Sequence, residues 1–181
     1  MNIDWSKQDM RVSRTEIKKS HERLQALSEP LSKLSKKQLE KLPASEYFLD
    51  ELRHLTEITS HTAKNRQIKR IGKLIIEEDR HVLTQALFEI IFTPEQRTKI
   101  QTWFKRLQLT DDGTIKQFVK QFKKAEYNSI YQLLLWIEYA KHLKDDELLL
   151  ESQTDFESYV KEVAILSHWF AKPNNNPCDI L

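Results

Sequence analysis

The chain has 181 residues, of which 31% are charged, and its formal net charge of +2 is too small to indicate a polyanion partner by itself. It holds only two glycines and five prolines, which disfavours hairpin-rich or Rossmann-like folds, and it is rich in good helix formers. Its single cysteine, Cys178, excludes an internal disulfide framework and a cysteine-based zinc site. No stretch has the length of a signal peptide core or a membrane span, so we expect a soluble cytoplasmic all-α protein.

The first predicted helix begins with a capping-box pattern, in which Ser13 is followed three residues later by Glu16. Apolar residues then recur at helical spacing and indicate one buried seam: Ile17, Leu24, Leu27, Leu31 and Leu34. Pro30 interrupts this pattern and should kink or end the helix about one turn earlier, because proline lacks an N–H and clashes with the preceding turn. A short piece, 36–42, then leads to Pro43.

A long second helix is predicted from Ser45 to Glu78. Each half carries its own apolar stripe: Phe48, Leu52, Leu55 and Ile58 in the first half, Ile68, Ile71 and Ile75 in the second. The two stripes lie about 180° apart on a continuous helical wheel. Either one helix crosses from one packing partner to another, or the chain breaks between Thr59 and Ala63. We favour the continuous helix.

The second half of this helix holds five positive charges and no acid within residues 62–73. Four of them share a sector about 100° wide, opposite the isoleucine stripe, and we call this set the basic face. The basic face comprises Arg66, Lys69, Arg70 and Lys73. Lys64 projects along the apolar stripe instead, so it must snorkel or lie beyond the packed part. A focused basic face suits a polyanion, because each neutralised phosphate releases counterions, and we interpret this helix as facing nucleic acid.

Gly72 lies inside the same predicted helix, where glycine costs about 0.5–1 kcal/mol relative to alanine. It sits on the flank between the basic face and the isoleucine stripe. Two explanations remain open from the sequence. Another backbone approaches closely, from a neighbouring helix or from RNA, or the position is a tolerated weak spot.

Asp79 can cap a further helix, and Thr93 marks the clearest restart of the chain, with Pro94 at N1 and Gln96 at N3. We place a domain boundary there. The division is an N-terminal helical domain over 1–92, a C-terminal helical bundle over 93–172 and a flexible tail over 173–181. The bundle is expected to hold four helices, 94–107, 114–124, 129–144 and 154–170, the third capped by Asn128.

Other clusters have simpler structural explanations. The lysines at 116, 120, 123 and 124 are typical of the solvent face of an amphipathic helix. A set of aromatic residues is best explained as core: Trp136, Tyr139, Phe156, Tyr159, Trp169 and Phe170. His54 and His61 could share a helix face, but two imidazoles alone make a poor metal site. The acidic run 77–79 is interpreted as a solvated helix end. With no nucleophile motif or glycine-rich phosphate loop, we predict no metal, no cofactor and no enzymatic activity.

The chain resembles the YjgA/DarP family of bacterial proteins that associate with the large ribosomal subunit. The resemblance is strongest over 12–87, through VSRTEIKK, LEKLP, RQIKRIGKLI and VLTQAL. Its most specific element is the arrangement of Arg66, Gln67, Ile71, Gly72 and Lys73.

This resemblance implies an all-helical, cofactor-free protein that binds late precursors of the large (50S) subunit and helps the peptidyl-transferase region to mature. The rRNA, expected to be 23S, would be contacted by Arg66, Gln67, Gly72 and Lys73, with Lys18 and Lys19 from the first helix. The sequence departs from the family pattern at Asn65, where an arginine is usual, and adds charge at Lys69 and Arg70.

The leading hypothesis is therefore a monomeric, non-enzymatic ribosome biogenesis factor that binds rRNA through the basic face. Ribosomal proteins are possible further partners, and no membrane is expected. The alternative is a helical protein–protein adaptor without direct RNA binding, which would use the leucine seam (Leu24, Leu27 and Leu31) or the C-terminal aromatics. Salt separates the two, because phosphate contacts weaken steeply as salt rises.

Overall fold

The computed structural model describes residues 3–8, 10 and 13–169, and in these ranges it is built of helices without a strand, which confirms the all-α prediction. The α-helices are α1 (Arg14–Ala26), α2 (Ser28–Leu31), α3 (Lys36–Leu39), α4 (Glu46–Glu57), α5 (His61–Leu74), α6 (Arg80–Ile91), α7 (Pro94–Arg106), α8 (Asp112–Gln121), α9 (Tyr127–Leu143) and α10 (Asp146–Trp169). Two 3₁₀ turns, Trp5–Lys7 and Ile75–Glu77, complete the description. None of the described helices is long and apolar enough to cross a bilayer. The predicted tail, with Cys178, and Phe170 lie outside the described residues.

The first helix follows the predicted seam with one exception. Leu24, Leu27 and Leu31 are buried and Leu34 is half-buried, but Ile17 is 46% exposed, so its assignment to the seam is wrong. α1 ends at Ala26, one turn before Pro30, as predicted. The reason is that Pro30 cannot donate to the Ala26 carbonyl.

Only half of the predicted capping box forms at the start of α1. The Ser13 hydroxyl accepts a hydrogen bond from the Glu16 N–H at 3.1 Å. The Glu16 carboxylate does not return to Ser13. It accepts instead from the Ser129 hydroxyl at 2.6 Å and from Lys19 at 3.3 Å, and so links α1 to α9.

The prediction of one continuous helix from Ser45 to Glu78 is wrong. The chain breaks after Glu57, where Ile58 adopts extended backbone (φ −74°, ψ 123°), and α5 begins at His61. α4 and α5 lie antiparallel as a helical hairpin. The physical reason is the pair of opposed apolar stripes, because a turn between them lets Leu52 of α4 and Ile71 of α5 both enter one core, where they are 1% and 0% exposed.

The base of the α4–α5 hairpin is closed by polar contacts. The Ser45 N–H donates to the Glu78 carboxylate at 2.9 Å, and the Ser45 hydroxyl donates to its other oxygen. Ser45 also caps α4, because its hydroxyl accepts from the Phe48 N–H. Asp79 caps α6 by accepting from the N–H groups of His81 and Val82. The acidic run 77–79 is therefore a helix end, as predicted. Through Glu78 it also joins the two ends of the α4–α5 hairpin.

Helix boundaries in the second half match the predictions in part. The capping box of Thr93 and Gln96 is confirmed. Asn128 does not cap α9, since the helix already begins at Tyr127 with Glu126 at the N-cap. α10 begins at Asp146 and not at Thr154, because Lys144 takes a left-handed conformation (φ 56°) that reverses the chain directly after α9.

One hydrophobic core contains residues from both sides of the predicted domain boundary. α10 packs against α6, α7 and α9 and also contacts α1 and α2. Buried core residues run from Leu24 to Leu166 in a single cluster. The division at 92/93 stays a prediction about independent folding units.

A buried carboxylate connects three helices inside this core. Glu162 of α10 is 0% exposed and accepts two hydrogen bonds from Arg80 of α6, at 2.6 and 3.0 Å. Arg23 of α1 lies 3.6 Å from the same carboxylate, with its guanidinium 4.5 Å over the Tyr159 ring. Burial raises the pKa of Tyr159 to about 12. Its hydroxyl accepts from the Glu126 N–H at 2.8 Å, which adds the start of α9 to the cluster.

Replacing Glu162 with glutamine should lower the free energy of unfolding by about 3–5 kcal/mol, because two guanidinium groups would then lack a buried counter-charge. Urea denaturation followed by circular dichroism measures this change. The matched control on the same helix is Glu157→Gln, since Glu157 is 46% exposed and pairs with Lys161 at 3.3 Å. It should cost no more than about 1 kcal/mol. Equal losses in the two variants would contradict the assigned role of Glu162.

Candidate nucleic-acid interface

The predicted basic face is present on α5. Arg66, Lys69, Arg70 and Lys73 are all exposed, while Ile71 and Ile75 on the opposite side are 0% exposed. Lys64 is exposed as well, which agrees with both placements considered from the sequence. The helix thus has one side fixed in the core and one side carrying positive charge to solvent.

Arg70 differs from the other members of the basic face because its charge is already paired. Its guanidinium donates to the Glu51 carboxylate at 2.8 Å and to the Tyr47 hydroxyl at 2.8 Å, both on α4. The rest of the set is Arg66, Lys69 and Lys73, and none of these has a carboxylate within 4.0 Å among the residues that the structure describes. Three cations on one side of α5 are therefore available to an external anion.

Gln67 lies away from the basic face. It is 8% exposed, and its side-chain amide donates to the Glu51 backbone carbonyl at 3.0 Å and to the Glu51 carboxylate at 2.6 Å. Glu51 therefore holds Gln67 and Arg70 at once, and it ties the middle of α5 to the middle of α4. The structure gives Gln67 a role within the hairpin, so we leave it out of the proposed RNA contacts.

Gly72 is explained by a neighbouring helix. A Cβ atom at this position would lie 3.2 Å from the backbone oxygen of Gln25 and 3.4 Å from the Ser28 hydroxyl oxygen. The close approach considered from the sequence is therefore that of α1 and the start of α2, on the buried side of α5. Gly72 lets these helices meet, and we leave it out of the RNA contacts too.

The two lysines of α1 differ from each other. Lys18 is exposed, lies 3.7 Å from Glu22, and shares a side of α1 with Gln25, about 20° apart on the helical wheel. Lys19 is bound by two carboxylates, Glu126 at 2.5 Å and Glu16 at 3.3 Å. These bonds raise the pKa of Lys19 above its usual value and offset its charge. Lys18 can extend a footprint on α5, whereas Lys19 joins α1 to α9.

The remaining clusters follow their simpler interpretations. Phe118 and Phe122 of the lysine-rich segment are buried, so its lysines form the solvent side of an amphipathic helix. Phe156 and Tyr159 are core residues, and Trp136 and Tyr139 are half-buried. Trp169 is excluded because its side chain is not described. In the described part of the chain, no three His, Cys, Asp or Glu side chains are grouped as a metal site would require.

The sequence reasoning missed Glu51 and Tyr47. Both lie on α4, and they can contact α5 only because the chain turns at 58–60. On a continuous helix, Glu51 and Gln67 would lie about 24 Å apart, too far for any contact. The one signal for the turn was the β-branched and polar run near Thr59.

Comparisons with known proteins agree with the resemblance noted from the sequence. The family model for the dual-action ribosomal maturation protein DarP matches residues 10–150, which include the whole α4–α5 hairpin. Proteins of that name from Pasteurella multocida and Vibrio vulnificus are 30% and 31% identical over 142 and 126 residues, covering 74% and 67% of this chain and 77% and 68% of the relatives. The protein of that name from Methylobacillus flagellatus is 29% identical over 127 residues, 68% of this chain and 70% of the relative. No solved structure matches the chain.

Replacing Gly72 with leucine should lower the free energy of unfolding by about 1–3 kcal/mol, because the side chain would push α5 away from Gln25. The control is Gly113→Leu, where a Cβ would meet only Asp111 at 3.4 Å. That change should leave stability unchanged or raise it by about 0.5–1 kcal/mol, since leucine favours a helix. Urea titration measures both variants. If Gly72→Leu kept full stability and lost only RNA affinity, the close approach would be that of RNA.

Proposed function

Because the chain belongs to the DarP family of ribosomal maturation proteins, we propose that it is a non-enzymatic biogenesis factor for the large (50S) ribosomal subunit. It associates in the cytoplasm, as a monomer, with late precursors of that subunit and binds their 23S rRNA. It thereby promotes maturation of the peptidyl-transferase region. The observation that carries the RNA-binding proposal is the set Arg66, Lys69 and Lys73 on one exposed side of α5, for which no carboxylate lies within 4.0 Å in the described part of the chain.

The hairpin suits this role because it presents the cations on a fixed frame. Ser45 and Glu78 close its base, and Glu51 joins its middle to Gln67 and Arg70. From Arg66 to Lys73 the charges span roughly 10 Å along the helix axis. Contacts of this kind bind the phosphate backbone and set position without reading sequence.

A clamp of this kind can direct rRNA folding without catalysis. If the basic face binds one rRNA conformer more tightly than another, the folding equilibrium shifts by that difference in affinity. No cofactor is needed for such an effect. Ribosomal proteins near the bound rRNA could add contacts.

The adaptor alternative loses its leucine seam and two of its aromatic residues. Leu24, Leu27 and Leu31 are at most 5% exposed within the core of the chain, so that seam is unavailable to a partner helix. Phe156 and Tyr159 are likewise buried. The basic face remains the best supported contact surface.

Changing Arg66, Lys69 and Lys73 together to glutamate should abolish association with large-subunit precursors while leaving helicity intact. Arg70 stays unchanged, because a carboxylate there would face Glu51 and disturb the hairpin. Sucrose-gradient sedimentation of cell lysates measures the association. The matched control reverses Lys105, Lys120 and Lys123, with the same change in net charge. These lysines are exposed and, in the described part of the chain, have no carboxylate within 4.0 Å, whereas Lys116 is left unchanged because it pairs with Asp112.

The wild-type protein should sediment with large subunits or their precursors at low salt and move to the top of the gradient at high salt. In titrations with purified rRNA fragments, three phosphate contacts give a log–log salt slope of about −2 to −3. The control variant should behave as wild type. Sedimentation of the α5 variant with subunits at wild-type levels, or equal losses in both variants, would refute the proposed face.

A further inference from the structure

Tyr47 stands out at the edge of the basic face. It lies in the first turn of α4 and is 54% exposed, a large fraction for an aromatic side chain. Tyr131 is exposed as well, but its ring stacks on Tyr127 with centroids 6.1 Å apart and planes 15° from parallel. Among the described aromatic residues, none lies against the ring of Tyr47. The ring of Tyr47, beside Arg70, is therefore open to a ligand.

The hydroxyl of Tyr47 is fixed although its ring is exposed. It accepts a hydrogen bond from the Arg70 guanidinium at 2.8 Å, and Arg70 is in turn held by Glu51 at 2.8 Å. Glu51 is anchored by Gln67 on α5. The Tyr47 ring is thus held at the boundary between α4 and α5. Most of the conformational entropy of this side chain is already lost in the folded protein, so little more is lost when a ligand binds.

The charges around Tyr47 permit an RNA strand. The nearby carboxylates Glu46 and Asp50 both bind Arg53, at 2.5 and 2.6 Å. Glu51 is paired with Arg70. Three acids on this side of α4 thus face two arginines and leave one net negative charge. The three cations of α5 beyond Arg70, which have no carboxylate within 4.0 Å among the described residues, outnumber it.

We propose that Tyr47 is a stacking site for an unpaired nucleobase of the RNA whose phosphates lie on the basic face. The inference rests on the proposed function and narrows its target. In the interior of a duplex both faces of each base are covered by stacking, so a loop, bulge or single strand is what offers a base to the ring within a long RNA. The preferred ligand is RNA with an unpaired base next to the phosphates bound by Arg66 and Lys73, the two cations nearest to Arg70 on the helical wheel.

The test compares two RNA probes by fluorescence anisotropy with the full chain: a labelled hairpin with an unpaired loop, and the blunt duplex of its stem. Tyr47→Ala should weaken hairpin binding about tenfold and leave duplex binding within about twofold. Tyr47→Phe keeps the ring and should bind the hairpin like wild type. Tyr47→Leu keeps apolar bulk without an aromatic face and should resemble the alanine variant. The control Tyr131→Ala should bind as wild type.

The outcomes separate the inference from the proposed function. Unchanged hairpin binding in Tyr47→Ala, or equal losses for hairpin and duplex, would overturn the stacking site. If Tyr47→Phe matched Tyr47→Ala, the hydroxyl would only position Arg70, and the stacking site would again be wrong. If the Arg66, Lys69 and Lys73 reversal left both probes bound, the proposed function itself would fail. Circular dichroism of each variant, expected to match wild type, verifies folding.

Discussion

The fold depends on one constraint. The two apolar stripes, on residues 48–58 and 68–75, would lie on opposite sides of a continuous helix. On an unbroken helix the basic face would lie within about 10° of the stripe that contains Leu52, so a core covering that stripe would run into the cations of the second half. The turn at Ile58 removes this conflict. It brings both stripes into one core and leaves the cations of α5 on the outside.

Because of the turn, the residues of the family's most specific sequence element have two different roles. Gln67 joins α5 to α4, and Gly72 lets α1 approach α5 closely, whereas Arg66 and Lys73 face solvent. Glu51 is the link between the roles, because it satisfies the buried amide of Gln67 and pairs with Arg70. A carboxylate so close to a basic face reduces its net charge, but the same contact restrains the helix that displays the remaining cations.

Most capping signals were predicted correctly from the sequence, although Asn128 was not, whereas features that depend on tertiary contacts were missed. Ser45, Asp79 and Thr93 each start a helix through their own side chains, so short-range capping rules find them. The break near Ile58 has no glycine or proline to mark it, and it exists because two distant stripes share a core. Lys144 likewise reverses the chain where no glycine marks a turn, so the helix was predicted to begin at Thr154 and the first turns of α10 were missed. The basic face was predictable because helical spacing alone defines it. Tyr47 was not, because its place beside Arg70 requires the hairpin.

Lysine footprinting of the protein bound to purified large-subunit precursors tests the central claim most directly. Amine-reactive labelling with and without the particles, read by mass spectrometry, reports which side chains the RNA covers. The account predicts strong protection of Lys69 and Lys73, both exposed in the free chain, and unchanged labelling of Lys116 and Lys120. Protection of the α8 lysines with full labelling of Lys69 and Lys73 would contradict it.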